Sequence, residues 1–134
     1  MNNILNNYSL GDISLSYITD GSGHVGMVLL PTDKTEGADF LGGDIESIVQ
    51  LYIRGDNLPS GYASGITLSG SQSTKMLTYD GQTLEENGGS VTIKTRLHDG
   101  RGYDVLHTVT YKSGGRAFKI NVRFTNSSES DAIL

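Results

Sequence analysis

Val91-Thr-Ile-Lys-Thr-Arg-Leu-His98, the turn Asp99-Gly-Arg-Gly102, and Tyr103-Asp-Val-Leu-His-Thr-Val-Thr-Tyr111 form the stretch on which the fold is decided. Val91, Ile93, Thr95 and Leu97 alternate with Thr92, Lys94, Arg96 and His98, and Tyr103, Val105, His107, Val109 and Tyr111 answer beyond the turn. Successive side chains of a strand point to opposite faces, so a period of two marks a strand with one dry face and one wet face. After Ser113-Gly-Gly115 the pattern returns, with Phe118, Ile120, Val122 and Phe124 on one face and Lys119, Asn121 and Arg123 on the other. An antiparallel meander is expected.

Working outward, Ile13, Leu15 and Tyr17 alternate with Ser14 and Ser16, and Asp20-Gly-Ser-Gly23 separates them from an apolar run, Val25 to Leu30, that Pro31 closes. This reads as a second hairpin. Val49, Leu51 and Ile53 are expected on one face of a further strand. Residues 32–43 lack periodicity and read as a loop, as does the Gly- and Ser-dense stretch from Gly55 to Gly70, whose length suits a binding loop. No window carries an apolar stripe at helical spacing for more than a couple of turns. With no helix to cover the dry face of the meander, a second sheet is the expected cover, and the fold class is all-β, an antiparallel β-sandwich.

The 134 residues suit a single domain spanning 1–134 and are too few for a (β/α)₈ barrel of about 250. A net charge of −5, with no run of Lys or Arg, disfavours nucleic acid, which requires phosphate neutralisation. The start, Met1 to Tyr8, lacks a basic region followed by an apolar one, and no apolar run approaches a membrane span, so a soluble, cytoplasmic protein without membrane contact is expected. The absence of Cys excludes disulfides and thiolate metal sites.

Short motifs carry little chemistry. Gly21-Ser-Gly-His-Val-Gly26 has dinucleotide-fingerprint spacing, but a strand follows where the phosphate-holding helix must be, so it reads as a hairpin turn. Arg54-Gly-Asp56 matches an adhesive tripeptide, and Asn7-Tyr-Ser9 and Asn126-Ser-Ser128 match glycosylation sequons; all three read as incidental. His24, His98 and His107 lie apart without a second ligand at metal spacing, so no metal is expected. His107 shares a face with Val105 and Val109 and reads as a buried histidine with a hydrogen-bond partner. His98 beside Asp99 has the makings of a base and its orienter, yet no nucleophile motif accompanies them. Asp56, Asp80, Glu85, Glu86, Asp99 and Asp104 fall near turns or strand ends, where solvated acids are the default and the sequence cannot pair them for glycoside chemistry.

Val49-Gln-Leu-Tyr-Ile-Arg-Gly-Asp-Asn-Leu-Pro-Ser-Gly-Tyr-Ala-Ser-Gly-Ile-Thr-Leu-Ser69, followed by Ser73-Thr-Lys-Met-Leu-Thr-Tyr-Asp-Gly81, resembles the N-terminal domain of the glycoside hydrolase family 36 α-galactosidases. That family carries a strand, a Gly-Asp-x-x-Pro-x-Gly-aromatic-Ala-x-Gly loop, Ser-rich sequence and a strand ending in a polar turn. Later blocks read like Val105 to Tyr111 and Arg123-Phe-Thr-Asn126, so the resemblance covers residues 45–134. Where many members have Gly-Arg-Thr-Met, this chain has Gly65-Ile-Thr-Leu68, which removes a guanidinium from the loop.

The resemblance implies part of a galactose-mutarotase-like supersandwich that precedes a (β/α)₈ barrel holding the two catalytic aspartates. No catalytic residue and no cofactor are expected in this chain. Its partners would be that barrel, further copies in a homo-oligomer, and an α-galactoside such as melibiose or raffinose. Asp56 stands where the family's loop acid stands. Asp56, Asn57 and Tyr62 are the expected sugar contacts, with ordering of its own loop the alternative role for Asp56. A freestanding carbohydrate-binding or interaction module is the other reading, though the chain has no Trp, the usual stacking platform for sugars.

Overall fold

The computed structural model describes residues 2–36, 41–43, 45, 47–49, 51 and 77–134. Among these residues seven strands form two antiparallel sheets. β1 (Asn3–Leu10), β2 (Ile13–Thr19) and β3 (Val25–Pro31) make the first, in that order. β4 (Leu77–Asn87), β5 (Ser90–Asp99), β6 (Tyr103–Lys112) and β7 (Phe118–Asn126) make the second. A 3-10 turn at Thr32–Lys34 is the only helical element among the described residues. No helix there is long and apolar enough to cross a membrane.

The turns follow from their residues. Gly11 takes a left-handed φ of 63° in the two-residue connection between β1 and β2, and a Cβ there would run into the Tyr111 hydroxyl. At Asp20–His24, one carboxylate oxygen of Asp20 accepts from the Ser22 and His24 amides at 2.8 and 3.0 Å, so the glycine-rich motif is indeed a hairpin turn. Between β5 and β6, buried Asp99 accepts from the Arg101 amide at 2.9 Å and from its guanidinium at 2.7 Å.

The sheets close on Leu10, Leu15, Tyr17 and Val25 from one side and Leu77, Ile93, Leu97, Tyr103, Val105, Val109 and Tyr111 from the other. This is the expected β-sandwich, with β5 and β6 alternating as read. Two expectations change, and one strand is added. Val49 and Leu51 belong to no strand, while Ile53 lies outside the described residues; the Ile48 amide donates to the Val25 carbonyl at 3.1 Å, and Leu51 joins the core from irregular backbone. Tyr79-Asp80-Gly81 does not end a strand, because β4 passes through it with a bulge and continues to Asn87. β1 is a full strand despite its asparagines. The Asn7 amide donates to the Ser14 and Ser16 hydroxyls across the pair, at 3.2 and 2.6 Å.

Candidate functional site

Pairing register divides the inner face of the four-stranded sheet into rows that run across the strands. One row is Leu84, Ile93, Val109 and Ile120, four aliphatic side chains on one face. Its middle members are 0% and 2% exposed, its outer members 45% and 51%. The next row is Gln82, Thr95, His107 and Val122, with Val122 49% exposed. Three strands at about 4.8 Å spacing cannot blanket four, so a margin stays open.

Asn6 and Tyr8 reach Gln82 at 2.6 and 2.8 Å, which sets β1 against β4, and the Tyr79 amide donates to the Gly23 carbonyl at 2.9 Å, which brings the β2–β3 turn to the start of the same strand. Leu29, on the inner face of β3, is also exposed. Ile120 and Val122 therefore give the β7 margin an apolar character that a solvated edge does not need.

Behind the margin runs a polar seam. Gln82 accepts from Asn6 and Tyr8 and donates to the Thr95 hydroxyl at 2.8 Å. Tyr17 packs edge-on to Tyr8, with ring centroids 6.0 Å apart. Its hydroxyl faces Thr95 but makes no bond of hydrogen-bonding geometry. Burial pushes the Tyr17 pKa up to about 12, and the Thr95 hydroxyl draws it back only in part. His107 is buried next to Thr95 in register, and its Nδ1 has no hydrogen-bond partner among the described residues, contrary to the hydrogen-bonded histidine expected. Burial lowers the His107 pKa and keeps the ring neutral near neutral pH.

Asp56, Asn57 and Tyr62, the expected sugar contacts, lie outside the described residues. The acids of the second sheet do not converge. Asp99 is bound by Arg101, Glu85 meets Lys94 at 3.1 Å, and Asp104 accepts from the Ser127 hydroxyl at 3.1 Å. His98 and Asp99 alternate to opposite faces of β5, so they do not act as base and orienter. The histidine that does meet a carboxylate is His24, whose Nδ1 lies 2.7 Å from Asp20 in the hairpin turn. Burial pushes the Asp20 carboxyl up, but the His24 ring and the turn amides outweigh it and hold the carboxyl below its ordinary value. Among the described residues no three His, Asp or Glu side chains gather as metal ligands.

Two features went unseen in the sequence. A cavity of about 420 Å³ opens where the β1–β2 and β6–β7 turns meet, lined by Leu10, Ile13, Tyr111 and Phe118 together with exposed Asp12 and Arg116. On the outer face of the second sheet, Lys94, Arg96, Lys119 and Arg123 come together. Their alternation was legible, but only the three-strand register shows them facing one another. No protein-family model, no curated protein and no solved structure matches this chain.

Proposed function

We propose that this chain is the non-catalytic N-terminal β-sandwich portion of a retaining α-galactosidase and serves it as a packing and oligomer-forming domain. The observation that supports this reading is the open margin: Ile120 and Val122 offer apolar surface where a larger sandwich or a neighbouring barrel would continue the core. The enzymatic identity rests on the ordered sequence blocks of residues 45–134. On this reading the two carboxylates that glycoside cleavage needs belong to the barrel, and the loop carrying Asp56, Asn57 and Tyr62 reaches a shared sugar subsite. The outer edge of β7, which pairs with no strand among the described residues, suits homo-oligomer formation. Terminal α-linked galactose, as in melibiose or raffinose, is the proposed substrate, with no cofactor.

A second reading, a freestanding carbohydrate-binding module, is favoured by the end cavity. There Tyr111 and Phe118 offer rings while Asp12 and Arg116 offer groups for sugar hydroxyls. The test is to read the source gene past the Leu134 codon and express the whole frame. A product that cleaves an aryl α-galactoside with retention, while residues 1–134 alone cleave none, supports the enzyme reading. A frame without paired barrel aspartates overturns it, and galactose-dependent amide shifts at Tyr111 and Phe118 would then favour the module.

A further inference from the structure

The outer face of the four-stranded sheet carries Lys94, Arg96, Lys112, Lys119 and Arg123, half of the chain's ten Lys and Arg, although the whole chain is net −5. The strands sort these charges. On β5 the even positions Lys94 and Arg96 turn outward, and on β7 the odd positions Lys119 and Arg123 do so. Between them β6 lays Leu106, Thr108 and Thr110 as the floor of a furrow of about 300 Å³. Arg96, Leu106 and Arg123 stand in one row across the sheet, and Lys94, Thr108 and Asn121 in the next.

Compensation is uneven. Lys94 has Glu85, and Arg96 contacts only the Asp80 carbonyl, at 3.5 Å. Lys119 and Arg123 have no ion-pair or hydrogen-bond partner among the described residues. Lys119 and Arg123 on the β7 wall, facing Lys94 across the floor, leave the furrow with uncompensated positive charge that attracts an anion.

We infer that this furrow binds an extended acidic peptide segment of another protein, lying along β6 with carboxylates directed at Lys119 and Arg123. Spacing selects this occupant. Same-face residues of a strand repeat about every 7 Å, so Lys94 and Arg96 are about 7 Å apart and Lys119 and Arg123 about 14 Å. A peptide with an acid at every second residue has the same repeat. The Thr108 and Thr110 hydroxyls and the Asn121 amide are suited to its backbone groups. The face has no Tyr, Phe or Trp on which a sugar or an unpaired base would stack, which disfavours neutral glycans and single-stranded nucleic acid. The inference is independent of the α-galactosidase reading.

The probe is a fluorescein-labelled octapeptide of alternating Glu and Thr, titrated into the full 134-residue chain and followed by anisotropy. Binding is expected at about 0.05 M salt and should fade toward about 0.5 M as the screening length shrinks. Lys119→Glu with Arg123→Glu should weaken it at least tenfold, and Lys119→Gln with Arg123→Gln by less, with unchanged circular dichroism in both. Absent binding, equal binding of a Gln–Thr peptide, or charge-reversed variants that bind normally would overturn the proposal. An oligogalacturonate that binds where the peptide does not, or a dimer that the charge reversal dissociates, would assign the furrow to a polyanionic glycan or to a second copy instead.

Discussion

Ile93 and Ile120 stand in one row of one sheet face, two strands apart, yet one is sealed and the other half in water. Both sit at apolar positions of an alternating strand, so intrinsic preference does not separate them. The difference is cover, since Ile93 lies under the three-stranded sheet and Ile120 beyond it. Alternation in a sequence marks the apolar face of a strand, whereas burial depends on the width of whatever packs there.

That comparison breaks first at the centre. Ile93→Ala should cost about 3 kcal/mol, since its cavity opens between two well-packed sheets, and a urea midpoint read against the parent chain would show it. If the loss is under about 1 kcal/mol, the central row is no better packed than the margin. Asp99→Asn should cost about 2 kcal/mol by weakening the Arg101 clamp that orders the β5–β6 turn, measurable in the same titration. Gly11→Ala should cost about 1–2 kcal/mol, from its left-handed φ and from collision with Tyr111, and should lower Tm.

A smaller effect sharpens the contrast through pH. His107 is more easily protonated unfolded than folded, because burial lowers its folded pKa. Its contribution is thus constant above about pH 6.5 and is lost as pH falls through the folded value. His107→Leu should flatten that acid limb of the urea midpoint, and an unchanged limb would place the proton uptake elsewhere. Least of all, Ile120→Ser with Val122→Ser should leave the isolated chain within about 1 kcal/mol of the parent. The same pair should abolish association with whatever larger protein covers the margin, as a pull-down with the full reading frame would report.

Much of this was legible. Asp and Gly at Asp20–Gly23 and Asp99–Gly102 marked hairpins because their side chains and backbone freedom close tight turns, and period two located β5, β6 and β7. β1 escaped because Asn3, Asn6 and Asn7 are poor strand formers in isolation. Tertiary bonds from Asn6 to Gln82 and from Asn7 to Ser14 and Ser16 stabilise them there. Val49 and Leu51 misled because burial of apolar residues beside β3 does not require a strand. The open margin was hidden because exposure at Ile120 and Val122 depends on the other sheet. Of the expected sugar contacts, Asp56, Asn57 and Tyr62 lie outside the described residues, so the loop reading stands on sequence alone.

Among the described residues every strand pairs only with strands next to it in the chain. Each sheet can therefore zip from its own hairpins with short loop closures, and the contacts between the sheets, far apart in sequence, form only when the two come together. The protein is thus divided into two units of local contact order, with docking as the late event. Hydrogen exchange should resolve them as two cooperative blocks, the four-stranded block opening last.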